Sequence, residues 1–260
     1  MLQQPLIVLI VLYAGLVGLI VGSYLNVVVY RLPLGLSTVR PRSRCPGCGN
    51  LIQARDNVPV LSFLLLRGRC RHCGSRISWR YPLVELATAG LFVACLFHFG
   101  FSLQTPVAWI FTGLMLVLGL IDYDHMLLPD RLTLPGIAVG LATQLRSPLV
   151  GLVPALAGVA LGAGILLAAW GLWKVVRHEE GMGLGDVKML ALIGAFLGWQ
   201  GVLVTLLCST LGGSVVGLAL MRLGSHDMRS RLPFGVFLAL GGLAALFFGE
   251  PLIAWYAGLL

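Results

Sequence analysis

An all-α membrane protein, a polytopic bundle of about eight transmembrane helices interrupted by one polar insert, is the fold class the sequence predicts. Three observations carry it. Of 260 residues, 58% are hydrophobic and only 11% charged, where a soluble domain has roughly half and a quarter. The apolar residues fall into runs of the length a helix needs to cross a bilayer, about 20 residues. The 34 glycines suit helices packed in lipid, where small residues let backbones approach. A net charge of +8 does not point to nucleic acid, because the basic residues cluster in loops, as membrane topology requires.

The first uncharged run covers 5–30 and is expected to span the membrane. Nothing positive precedes it, and the first charge is Arg31 on its far side. It therefore does not read as a signal peptide, and the N-terminus is expected outside, with Arg31 retained in the cytoplasm. Ser23 and Asn26 share one helical face. Interhelical hydrogen bonding is the plain explanation, and a substrate contact the alternative. The polar insert follows at 31–80 and holds ten of the eighteen Lys and Arg. Further spans are expected at 82–100, 106–121, 133–145, 149–174, 189–199, 202–221 and 234–256. The one at 133–145 is short and is expected to be tilted, or broken at Pro135. Threading eight spans leaves only Arg146 outside, and returns the insert and the polar loops near 122–131, 177–188 and 222–231 to the cytoplasm. The expected divisions are a first transmembrane helix (1–30), a cytoplasmic insert (31–80) and a seven-helix membrane domain (81–260).

Four of the six cysteines form two C-x-x-C pairs, Cys45/Cys48 and Cys70/Cys73, with 21 residues between Cys48 and Cys70. Each pair is followed by glycine, which relieves a tight turn. Two such turns aim four thiolates at one tetrahedral ion, so the insert is expected to hold one structural Zn2+. A polar segment this poor in aliphatics needs that metal to fold. Two redox disulfides are the competing explanation; thiolate ligation implies a reducing compartment. His72, between two ligands, is expected to be a bystander. Cys95 and Cys208 sit in apolar runs and read as core residues.

The chemistry is expected at two acidic stretches, Asp122-Tyr123-Asp124 and Gly183-Leu184-Gly185-Asp186. The segment between them leaves room for two crossings, which returns both to one face of the membrane. Two nearby carboxylates share a proton, so that one activates water while the other protonates the carbonyl or leaving amine. Glycines 181, 183 and 185 let a substrate backbone come close. Spacing does not choose between Asp122 and Asp124. Solvation, or charge balance with Arg131 and Lys188, is the plain explanation of the acids. Ion transport also competes, but a carrier places its carboxylates near the midplane rather than at span ends.

Gly22-Ser-Tyr-Leu-Asn-Val-Val-Val-Tyr-Arg-Leu-Pro33, Asn57-Val-Pro-Val-Leu-Ser62, the two cysteine turns, Arg80-Tyr-Pro-Leu-Val-Glu85, Ile121-Asp-Tyr-Asp-His-Met-Leu-Leu-Pro-Asp130, Gly183-Leu-Gly-Asp186 and Leu232-Pro-Phe-Gly235 together resemble the bacterial type IV prepilin peptidases, membrane aspartyl proteases of the GxGD type. The resemblance runs from about residue 15 to 240. It implies a bifunctional inner-membrane enzyme. Such enzymes remove the basic leader of type IV prepilins and type II secretion pseudopilins, after a glycine, on the cytoplasmic side. They then methylate the new N-terminal amine, usually of Phe, from S-adenosylmethionine. Asp122 and Asp186 match the catalytic pair, whereas Asp124 and Asp130 match motif positions that are not catalytic. Cys45, Cys48, Cys70 and Cys73 match a zinc-associated insert absent from single-function relatives, so methyl transfer is expected. No Gly-rich methyltransferase fingerprint is present, so the residues binding the donor are unassigned; the face formed by the insert and the span ends is the default expectation. The expected partners are prepilin and pseudopilin substrates and the bilayer, with no nucleic acid. A zinc-stabilised transporter and a non-enzymatic scaffold of pilus or secretion assembly are the alternatives. Prepilin cleavage separates the enzyme from both, and ion flux would mark the transporter.

Overall fold

The computed structural model describes residues 3–146, 148–177, 183–223 and 232–258. The calls on Gly181 and on the polar loop at 224–231 fall outside them. Its α-helices are α1 (Gln3–Arg31), α2 (Leu61–Leu65), α3 (Arg80–Phe99), α4 (Gln104–His125), α5 (Asp130–Thr143), α6 (Leu152–Arg177), α7 (Leu184–Arg222) and α8 (Phe234–Ala257). Among the described residues the only β structure is two isolated bridges. Six helices, α1, α3, α4, α6, α7 and α8, are long and apolar enough to cross a membrane. The chain is an all-helical, multi-pass membrane protein.

Three of the expected spans take a different form. Helix α5 has 14 residues with Pro135 inside it, about 21 Å of helix against a hydrocarbon layer of about 30 Å. Helix α7 has 39 residues but is broken at Gly198, which has φ 68° and ψ −176°. Its two parts stand where spans at 189–199 and 202–221 were expected. The acids are also placed differently. Sequence reading ended one span at Ile121, before Asp122, and began another at Met189, after Lys188, which put both acids in loops. The helices run further, because hydropathy marks the apolar layer rather than the end of a hydrogen-bonded helix. Helix α4 continues to His125 and stops where Met126 takes a φ of 50°. Helix α7 begins at Leu184.

The chain divides into two compact units, Met1–Gly113 and Leu114–Leu260. In the first, α1 lies along α3. A Cβ at Gly18 would stand 2.6 Å from the Ala89 Cα, and one at Gly22 2.8 Å from the Glu85 Cα, so backbone meets backbone here. Asn26 donates to the Tyr81 carbonyl of α3 at 3.2 Å, the interhelical bond its position suggested. The Trp109 ring stacks on Phe92 and donates to the Phe92 carbonyl at 2.9 Å. Leu9, Leu12, Leu16 and Ile20 on α1 are all more than half exposed, as a lipid-facing surface requires.

In the second unit the first part of α7 is the core: every residue from Met189 to Gly198 is buried. Glycines line both neighbours. A Cβ at Gly158 on α6 would stand 2.6 Å from the Gly194 carbonyl oxygen, and one at Gly162 2.8 Å from that of Leu190. On α5, a Cβ at Gly140 would meet the Phe196 ring at 2.8 Å. The break at Gly198 leaves carbonyls without helical donors, and Gln144 answers them. Its Nε2 donates to the carbonyls of Ala195 and Phe196, while its Oε1 accepts the N–H groups of Leu149, Val150 and Gly151.

Candidate active site

Helix α8 begins after Pro233, whose side chain cannot accept a hydrogen bond, so its first N–H groups need an acceptor from elsewhere. Asp122, in the last turn of α4, supplies it: Oδ2 accepts the Val236 N–H at 3.2 Å. Its side chain is buried, with 5% exposure. A carboxylate at a helix N-terminus is favoured by the helix dipole. Gly235 makes the approach possible, since a Cβ there would stand 2.8 Å from Asp122 Oδ2.

Asp186 lies in the first turn of α7, three residues after the N-cap Gly183. Gly185 beside it packs on Leu128, with an added Cβ at 2.9 Å from the Leu128 Cβ. Asp186 is partly buried, and its carboxyl is within electrostatic reach of Asp122. The structure therefore brings together the two acids that sequence reading paired. It also separates Asp122 from Asp124, which spacing could not. Two residues further along a helix is a rotation of about 200°, and Asp124 is exposed. Asp130 is exposed as well and pairs with Lys188 at 2.5 Å, so the charge balance suggested for Lys188 belongs to Asp130. Two carboxyls at helix ends, one shielded and the other partly open, can divide the roles of acid and base on an amide.

The insert is built from two similar turns. Gly49 N–H returns to the Cys45 carbonyl at 2.8 Å, and Gly74 N–H to that of Cys70 at 2.9 Å. Cys45 N–H donates to Asn50, and Cys70 N–H to Ser75. Both glycines have positive φ, 72° and 70°, which a side chain would strain. An isolated bridge closes each turn, Arg44 with Leu51 and Arg69 with Arg76. The result is that the Sγ atoms of Cys45, Cys48, Cys70 and Cys73 all lie within 4.8 Å of one another. That spacing suits a tetrahedral ion with metal–sulfur bonds of about 2.3 Å. All four thiols are free, which argues against the disulfide alternative, and His72 is not in the cluster. The Ser75 hydroxyl, then the backbone N–H groups of Gly47 and Cys48, pull the Cys45 thiol down to about 6, while, against the pull of the Asn50 N–H, desolvation and the neighbouring thiols push Cys48 up to about 11. Arg71 bonds both oxygens of Asp56, one of them at 2.7 Å, and holds its carboxyl below the usual range. That contribution to the insert is present at neutral pH and is lost as pH falls through the lowered value.

The Bacterial Peptidase A24 N-terminal domain matches residues 16–99, and the Type IV leader peptidase family matches residues 109–218. The prepilin leader peptidase/N-methyltransferase of Pseudomonas putida is 42% identical over 263 residues, covering 93% of this chain and 91% of that protein. The chain belongs to the type IV leader peptidase family. Proteins of the same name from Stutzerimonas stutzeri and Aeromonas hydrophila are 39% and 40% identical and cover 95% and 94% of the chain, and 93% and 94% of their own lengths. No solved structure matches.

Within this leader peptidase, the four cysteines fall in the N-terminal match and both acids in the second. Gly235 and the Val236 N–H were missed as parts of the site. A span was expected from 234, but nothing in the sequence said which side chain would cap it. Gly235→Ala is expected to keep the helices and the insert while lowering the turnover of prepilin cleavage about a hundredfold, because a shift of about 1 Å in a reacting group costs that much. Steady-state kinetics on a prepilin peptide would check it; unchanged turnover would show that Asp122 need not sit against α8.

Proposed function

We propose that this leader peptidase cleaves type IV prepilins and type II secretion pseudopilins on the cytoplasmic side of the inner membrane, and then N-methylates the new N-terminus from S-adenosylmethionine. The burial of Asp122 against the start of α8, with Asp186 in electrostatic reach, is the observation that carries the peptidase reading. One carboxylate takes a proton from water as the oxygen attacks the amide carbon. The other carboxyl protonates the carbonyl oxygen, and a proton returned to the nitrogen lets the amine leave. In the second reaction the amine lone pair takes the methyl, the C–S electrons remain on sulfur, and the amine proton leaves to solvent. Residues 1–30 act as a first membrane helix, 31–80 as a cytoplasmic insert held by one Zn2+ on Cys45, Cys48, Cys70 and Cys73, and 81–260 as the membrane domain with the peptidase site.

The protein in lipid nanodiscs, given a synthetic prepilin and S-adenosylmethionine, should release the leader and leave a mature peptide one methyl heavier by mass spectrometry. An unaltered peptide would overturn the proposal, and ion flux into liposomes would favour transport. The topology has its own check. In a background with the native cysteines replaced, single cysteines near 60 and 125 should label from the cytoplasm, and one near 102 from outside. Labelling near 125 from outside would remove the acids from the side where substrate is cleaved.

A further inference from the structure

The first unit contains a cavity of about 820 Å³, enclosed by the C-terminal half of α1, the insert and the start of α3. Small-molecule sites run from about 300 to 1,000 Å³. Its apolar lining includes Val27, Leu36, Ile52, Phe63, Leu66 and Ile77. Glu85 of α3 also lines it, with only 7% exposure. A carboxylate has about four acceptor sites, and the Val60 N–H fills one of them at 2.7 Å. Such a buried acid calls for a further donor or a cation. Asn26 commits its amide N–H groups to the carbonyls of Gly22 and Tyr81 and so keeps its carbonyl oxygen for an occupant. The rim is strongly basic. Arg71 is taken by Asp56, but Arg40, Arg42, Arg44 and Arg76 make no ion pair among the described residues.

The occupant must therefore present a cation to a buried carboxylate, an anion to arginines and an apolar body to the walls between them. We infer that this cavity is the site of the methyl donor, S-adenosylmethionine, with Glu85 receiving its ammonium, the arginine rim its carboxylate and the apolar wall around Phe63 its adenine. This rests on the methyltransferase reading above and adds the location. A peptide amine alone fits less well, since it offers a cation and no anion to a rim rich in arginine.

The full chain in nanodiscs, titrated calorimetrically with S-adenosylhomocysteine, should bind one molecule per chain. Glu85→Gln keeps an acceptor for Val60 but removes the charge, and should weaken binding about tenfold or more. Val27→Trp fills the cavity and should abolish binding. Zinc content and helix content report whether each variant is folded. In a third arm, labelled S-adenosylmethionine is cross-linked by ultraviolet light and mapped to peptides. Label in 23–31, 40–45 or 60–85 supports the cavity, and label confined to 184–222 or 232–257 overturns it. Wild-type methylation of a pre-cleaved peptide, with both folded variants binding as wild type, would sink the cavity and leave the methyltransferase standing. Wild type that neither binds the donor nor methylates would sink both.

Discussion

Asp122→Asn and Asp186→Asn are each expected to lower prepilin cleavage by at least about a hundredfold, the least that loss of a positioned acid or base costs. The fold should tolerate both changes. Asn caps a helix about as well as Asp, so Asp122→Asn keeps an acceptor for the Val236 N–H that Asp122 now receives. What is lost is the ability to carry a proton. Asp122→Ala would remove the cap as well, and is expected to lower thermal stability where Asp122→Asn does not. Asp124→Asn and Asp130→Asn should retain cleavage, since one side chain is exposed and the other is bound to Lys188. The wild-type rate should be bell-shaped in pH, falling on the acid side when the base is protonated and on the alkaline side when the acid is not. Full activity in an Asp186→Asn protein would refute the pairing.

Cys48→Ser is expected to release the metal and open residues 31–80 to protease. Purified protein should carry about one zinc per chain, and structural zinc contributes about 10–16 kcal/mol to the folding of small metal domains. The insert has little regular structure: a three-residue 3-10 turn at Ala54–Asp56, one turn of α2 and two isolated bridges. Methylation should fall at least as far as cleavage, because the insert walls the cavity between α1 and α3. The converse separation uses Asp186→Asn. Methyl transfer needs an aligned amine and methyl rather than a proton-sharing pair. That variant should still methylate a peptide that already begins at the mature residue. Zinc-free protein purified under reducing conditions, or Asp186→Asn that is folded and zinc-loaded yet unable to methylate, would each count against this division of labour.

Much of this was legible in the sequence because the signals were local. A C-x-x-C turn followed by glycine is closed by hydrogen bonds within five or six residues, so spacing alone foretold the four-sulfur cluster. Membrane helices announce themselves by composition over about 20 residues. What could not be read depended on partners distant in the chain. Spacing leaves Asp122 and Asp124 equivalent; the resemblance favoured Asp122, and the start of α8 supplies the physical difference. The helix ends were misplaced because a charged residue at the edge of the apolar layer does not stop a helix, whereas the backbone of Met126 does. Gln144 carried no motif at all, yet it joins five backbone groups around the break in α7.

The glycine seam between α6 and α7 bears on how the protein tolerates genetic change. Gly158 and Gly162 touch the same stretch of α7 whose first turn carries Asp186. Gly194 is eight residues from that acid, about 12 Å along a helix. A methyl group at any of the three has no flexible side chain to displace, only backbone, so it would act as a wedge and turn the whole segment. A saturation library scored for prepilin processing should therefore contain inactive positions deep in the bundle, far from any reacting atom. Smaller side chains across the seam should not reverse those losses, because the atoms met there are backbone.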